Sequence, residues 1–140
     1  MKVGILLITH NNIGAVMLRT AIDVVGISPL STGILAAASD CDPEQILADA
    51  RQAARELDGG DGVLVLTDLY GATPSNIACR LACRLHRHHE LRVVSGLNLP
   101  MLIRVLNYPD LDLEALQQKA VSGGRDGIMT CNNVEGAQRA

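Results

Sequence analysis

The 140-residue sequence contains no tryptophan, no phenylalanine and only two tyrosines, Tyr70 and Tyr108. Sites that sandwich flat rings between aromatic side chains, such as flavin pockets or single-stranded nucleic-acid platforms, therefore have almost no material. A surplus of positive charge is lacking too: 12 Lys and Arg stand against 15 Asp and Glu, for a formal net charge of −3. Nucleic-acid binders rely on a Lys/Arg excess that displaces phosphate counterions, so no nucleic-acid partner is expected. No apolar run approaches the roughly 18 residues of a membrane span; the longest are short pieces such as Val3–Ile8. The chain passes from Lys2 straight into that run without the layout of a cleavable signal peptide. A cytoplasmic location is the expectation.

The four cysteines, Cys41, Cys79, Cys83 and Cys131, include no C-x-x-C pair. They read as free thiols packed as small apolar groups. Cys79, Cys83 and His86 fall at helical spacing. Structural zinc draws its ligands from separate segments at tighter spacings, so no metal is expected. The stretch reads instead as a helix with two core-facing thiols that ends in a solvated His86-Arg87-His88-His89 turn.

What is present is apolar material in an ordered alternation. Hydrophobic residues make up 48% of the chain and charged ones 19%, enough for a real core in one domain. A single domain over residues 1–131 is expected, with a polar tail over 132–140. Val3–Ile8 and Val63–Thr67 are nearly all aliphatic and predict strands buried on both faces. Gly33–Ala38 and Leu91–Ser95 predict two more strands, and Ile128–Cys131 a short last one. Helices are predicted from Ile13 to Val25, with Val16, Met17, Thr20, Ala21 and Val24 on one face and Gly26 as the stop. Another follows Asp42-Pro43, with Gln45 completing a capping box. Thr73-Pro74 opens a helix to about Leu85, Asn98 and Pro100 open one through Leu106, and Asp112 caps Leu113–Val121, closed by Gly123-Gly124. Strands alternating with helices predict βαβ crossovers, an α/β class and an open, mainly parallel sheet covered by helices on both faces.

In such sheets ligands bind beyond the carboxyl ends of the strands. His10 follows the first strand, Asp68 the third and Ser95-Gly96-Leu97-Asn98 the fourth. If the first and third strands are neighbours, the carboxylate of Asp68 accepts a bond from the His10 ring. That bond fixes the tautomer and leaves Nε2 with a free lone pair. Helix starts near Asn12 and Pro74 aim backbone N–H groups at the same spot, where an anion such as a transferred phosphoryl group is stabilised. No second carboxylate stands at these strand ends, so no metal clamp is expected. The bland alternative is a polar turn histidine and an aspartate that caps a helix.

Four stretches resemble one family: Gly4-Ile5-Leu6-Leu7-Ile8-Thr9-His10, Thr67-Asp68-Leu69-Tyr70-Gly71-Ala72-Thr73-Pro74-Ser75-Asn76, Ser95-Gly96-Leu97-Asn98-Leu99-Pro100-Met101-Leu102 and Ala120-Val121-Ser122-Gly123-Gly124-Arg125-Asp126-Gly127. Together, in this order, they resemble the mannose/fructose-type IIA component of the bacterial phosphoenolpyruvate-dependent sugar phosphotransferase system. The resemblance implies a sheet of order 2-1-3-4 and a fifth, antiparallel strand exchanged across a homodimer, with Ile128–Cys131 in that role. It implies that His10 accepts a phosphoryl group from the phosphohistidine of the carrier HPr and passes it to a IIB protein, with Asp68 as the acidic partner. Asn11, Gly71, Ala72 and Thr73 would face the phosphate, and Tyr70, Asn98, Pro100 and Met101 the pocket or partner. The phosphoryl group comes from phosphoenolpyruvate through HPr, and no other cofactor is implied. With 140 residues taken by one such domain, the IIB partner is expected on a separate chain, and a membrane permease is reached only through it.

The sequence departs from that family in places. Asn11 stands where glycine is common, Tyr70 where Trp or Phe is, Ala72 and Thr73 where Gly and Ser are, and Ser75 where Phe is frequent, which predicts a less apolar partner-facing rim. Two other functions compete. One is a regulatory IIA module without a cognate permease, signalling through its phosphorylation state. The other is a small-molecule or signalling domain on a flavodoxin-like sheet. The latter lacks the acidic residues of a two-component receiver and the hydroxyl-rich loop of a flavodoxin after the first strand, and no cysteine is placed for a phosphatase loop.

Overall fold

Apolar runs become strands and amphipathic runs become helices in strict alternation along the computed structural model, which describes residues 2–84 and 90–132. In chain order the elements are β1 (Gly4–His10), α1 (Ile13–Val25), β2 (Thr32–Ala37), α2 (Pro43–Leu57), β3 (Val63–Thr67), α3 (Thr73–Arg84), β4 (Leu91–Ser95), α4 (Leu99–Leu106) and α5 (Leu113–Asp126). The strands pair in parallel in the order β2-β1-β3-β4. This is the expected α/β architecture and strand order.

The period of two along β1 divides the core. Ile5 and Leu7 join Leu18, Leu102 and Leu116 beneath α1, α4 and α5. Leu6 and Ile8 join Leu47, Ala50, Ile77 and Leu81 beneath α2 and α3. All four β1 side chains are fully buried, and each contributes about 2 kcal/mol through removal from water. His10 ends that strand two residues beyond Ile8, so it shares the face of α2 and α3. The strand therefore runs further than the apolar segment that announces it.

Several expectations need correction. Gly123-Gly124 does not close α5, which continues to Asp126. A Cβ on Gly123 would come within 2.7 Å of Arg104 Cβ, so the pair lets α4 and α5 approach closely rather than breaking a helix. Gln45 bonds forward to Asp49 at 3.0 Å instead of back to its cap, and Asp42 alone accepts from the Glu44 N–H. On α1 the buried residues are Gly14, Leu18 and Ala21, while Val16 and Val24 are exposed. Arg19, Thr20 and Asp23 mark the outer face of the helix, and Val16 falls among them at helical spacing.

Cys79 and Cys83 point outward, because Ile77, Ala78 and Leu81 take the buried face of α3. Cys131 is exposed and Cys41 half-buried. Leu85 and the His86–His89 cluster fall outside the described residues, as does the tail beyond Asn132. Ile128–Cys131 form no strand within one chain, and Ile128 and Met129 are 79% and 80% exposed. A strand exists only through a ladder, and the described strands leave this segment unpaired. Among the described residues no helix is long and apolar enough to cross a membrane.

Candidate active site

The chain leaves β1 toward one face of the sheet through α1 and leaves β3 toward the other through α3. A crevice opens where those departures diverge, and His10 and Asp68 meet in it. His10 Nδ1 lies 2.8 Å from Asp68 Oδ2, and the His10 backbone N–H donates to the same oxygen at 3.1 Å. Ring and strand are thus tied to one carboxylate oxygen. The imidazole is 40% exposed and the carboxylate 13%.

Burial pushes the Asp68 carboxyl upward, but the bonds from the His10 ring and backbone N–H, together with attraction to the ring, outweigh it and hold the group below the usual carboxylate range. Asp68 is therefore ionised at neutral pH and can only accept. Nδ1 must carry the proton in this contact, and in the neutral ring Nε2 holds the lone pair. Nε2 makes no hydrogen bond among the described residues. Asp68 Oδ1 is buried and has no partner among them either.

The turn into α1 is built by residues of which only one was singled out from the sequence. Asn11 adopts φ 47°, the left-handed region that glycine takes freely and asparagine tolerates best among other residues. That accounts for asparagine where the resembled family commonly has glycine. Its N–H is held by the Ala37 carbonyl at 3.1 Å. Asn12 makes no side-chain cap bond; the buried Thr9 hydroxyl accepts the Gly14 N–H at 2.9 Å in its place. A threonine five residues upstream of an uncapped N–H is a weak sequence signal, because the usual cap sits within three.

From Asp68 the chain turns through Gly71, at φ 83°, into α3. The Ala72 carbonyl takes the first helical bond, from Asn76 N–H at 2.9 Å, so the cap falls at Ala72 and Thr73 is already helical. The amides of Thr73 and Ser75 find no acceptor among the described residues, as befits a first helical turn. Gly71, Ala72 and Thr73 make no bond to His10; they share the loop that begins at Asp68.

Three other expected site residues belong to the scaffold. Asn98 caps α4 by accepting the Met101 N–H at 2.9 Å and donates to the Gly124 carbonyl at 3.1 Å. Met101 is buried in the core and cannot face a partner. Pro100 packs where a Cβ on Gly127 would fall, 2.2 Å from its own Cβ. Ser75 does not stand on the rim: it is buried, 3.3 Å from the Ser95 hydroxyl. Tyr70, 82% exposed, does lie at the surface. Leu69, Ile13 and Val16 are exposed with it. Beside them an open groove of about 590 Å³ is lined by Asn12, Ile13, Val16, Met17, Thr20 and Leu99.

Fold and site together define an open α/β protein that presents a carboxylate-oriented histidine at the divergence of its two central strands. The chain belongs to the EIIA-man family, described as the PTS system fructose IIA component, whose model matches residues 4–120. It is 30% identical over 130 residues to the "PTS system mannose-specific EIIAB component" of Escherichia coli K12, a match covering 91% of this chain and 39% of that protein. The chain thus spans about two fifths of the length of that relative. Among solved structures, the mannose/sorbose-specific IIA subunit of a phosphotransferase system from Enterococcus faecalis superposes with TM-score 0.82 at 25% identity, covering 95% of this chain and 97% of that one. The PTS IIA protein associated with the fucose utilization operon of Streptococcus pneumoniae gives TM-score 0.75 at 26% identity, covering 96% and 95%.

Proposed function

We propose that this chain is the phosphocarrier of a sugar phosphotransferase system and that His10 carries the phosphoryl group. The observation that supports this reading most directly is the 2.8 Å contact between His10 Nδ1 and Asp68 Oδ2. With Nδ1 committed as a donor, Nε2 attacks the phosphorus held on the histidine of phospho-HPr. The nitrogen–phosphorus bond to HPr breaks as the new one forms, and the departing imidazole keeps the electron pair. Positive character that develops on His10 is met by the adjacent carboxylate. The second transfer is the same displacement with a histidine of a IIB component as acceptor, from which the group moves on toward a sugar at a membrane permease. The Thr73 hydroxyl and the unbonded amides of Thr73 and Ser75 are the donors we assign to the transferred oxygens.

The exposed apolar side chains of Leu69 and Tyr70, in the loop that begins at Asp68, suit a protein donor that must exclude water around the reacting atoms. Residues 128–131 are assigned as a fifth strand given antiparallel to the outer edge of β4 in a second copy; the exposure of Ile128 and Met129 supports that assignment.

The test is intact mass after incubation with phosphoenolpyruvate, enzyme I and HPr, on wild type and His10→Ala. One acid-labile phosphoryl group on wild type and none on the variant is the expected result. An unlabelled wild type beside demonstrably active enzyme I and HPr refutes the reading. A labelled chain that discharges to no IIB component favours the regulatory role.

A further inference from the structure

We propose that Ser95 is a positioning residue whose hydroxyl staples both ends of the loop carrying Asp68. The proposal rests on the phosphocarrier reading for its consequence, although the staple itself does not. Residues 68–72 link β3 to α3 and include Asp68, Gly71 and Ala72, with Thr73 opening the helix. Immediately before them, Thr67 Oγ1 lies 2.7 Å from Ser95 Oγ; beyond them, in the first turn of α3, Ser75 Oγ lies 3.3 Å from the same oxygen. The register explains the meeting, because Thr67 and Ser95 are direct partners across β3 and β4 and end those strands on the α3 side. The Leu97 N–H donates to the Thr67 carbonyl at 2.9 Å and ties the same corner once more.

Thr67 and Ser75 are essentially inaccessible to water. Buried hydroxyls are costly unless bonded, so the three hold one another in a particular arrangement. Valine or alanine would fill those positions without that demand. The middle of the loop has little packing of its own: Leu69, Tyr70 and Gly71 are exposed, a Cβ on Gly71 would meet nothing within 4 Å, and its bonds are long, from Ala72 N–H to the Leu69 carbonyl at 3.4 Å and from the Asn76 side chain to the Gly71 carbonyl at 3.5 Å. The loop is therefore held chiefly from its ends, by the His10 contacts to Asp68 and by the Thr67 and Ser75 hydroxyls, which both lead to Ser95. Displacements of about 1 Å in a reacting geometry can cost up to about 10²-fold in rate, so loss of the staple is expected to slow transfer without changing how a donor protein docks.

The experiment compares wild type with Ser95→Ala, Ser95→Thr and Thr67→Val in single-turnover transfer from phospho-HPr. Thermal melts and amide exchange are followed on the same full-length samples. Ser95→Ala is expected to slow transfer about tenfold at saturating phospho-HPr, to leave the half-saturating concentration unchanged and to speed exchange of the Ala72 and Asn76 amides. Ser95→Thr keeps the hydroxyl and should recover the rate; Thr67→Val should slow it from the other side of the bond. Wild-type rates in both Ser95→Ala and Thr67→Val overturn the proposal, as does a loss that tracks only the unfolded fraction seen in the melts. If wild type takes no phosphoryl group, the carrier reading fails instead, and the exchange measurement decides the staple alone: unchanged exchange in Ser95→Ala refutes it.

Discussion

The carboxyl edge of β1 and β3 and the corner where α4 meets α5 draw on similar residues and end in opposite states. At the corner the side chains of Asn98 and Arg104 are both engaged. Asn98 uses its amide oxygen on the Met101 N–H and its nitrogen on the Gly124 carbonyl, and Arg104 meets Asp126 at 3.2 Å. At the edge, capacity is left open. Nε2 of His10, Oδ1 of Asp68 and the first amides of α3 have no partner among the described residues, and Asn11 sits in a left-handed turn. Open capacity of this kind is where chemistry is done, whereas closed bonding is where shape is kept. The four stretches that resemble the family divide along this line. Those around His10 and Asp68 hold the open groups, and those around Asn98 and Gly123 the closed ones.

That division is open to test, and Asp68→Asn has the largest expected effect. Asparagine can present its oxygen to Nδ1 only without charge, or its nitrogen with the wrong tautomer. Phosphoryl uptake should fall about 10²-fold with little change in melting temperature; equal losses in both would erase the distinction between edge and corner. Gly123→Ala is the converse. Alanine favours a helix over glycine by about 1 kcal/mol, but the new Cβ lies 2.7 Å from Arg104 Cβ. Overpacking of about 1–3 kcal/mol should win, so denaturant titration should show net destabilisation while the folded fraction still labels at the wild-type rate. Asn98→Ala removes a cap and a bond between helices, for a loss of about 1–2 kcal/mol, again with labelling intact.

The smallest effect concerns acid. A carboxyl held low in the folded chain contributes stability that is present above the ordinary carboxylate range and is lost as pH falls through the lowered value. Melting curves of wild type should therefore fall more steeply below that range than those of Asp68→Asn. Parallel curves would show that the His10 contact adds nothing to folding.

Much of this could be read from the residues alone, for physical reasons. β1 and β3 are legible because strands buried on both faces need unbroken aliphatic runs, and His10 with Asp68 follows from where such strands end. Gly123-Gly124 was not legible, since glycine marks a helix stop and a close helix contact with the same letter, and the deciding partner, Arg104, lies on another helix. The outer face of α1 carries Val16 beside Arg19, Thr20 and Asp23, so an apolar residue there reads as core until its polar neighbours are weighed. Met101 and Ser75 turned inward because a motif fixes the order of residues, while the phase of the helix fixes their direction. The Thr67–Ser95–Ser75 cluster depends on strand register, which no single segment encodes.

The alternation along β1 carries a last consequence. Leu6, Ile8 and His10 share one side of the sheet, and Ile5 and Leu7 the other. The strand therefore behaves as a parity check on its own length. Inserting or deleting a single residue between Ile5 and His10 would send the imidazole to the side of α1 and α4, away from the carboxylate. Two-residue changes would preserve its side, so drift in this segment is constrained to even steps.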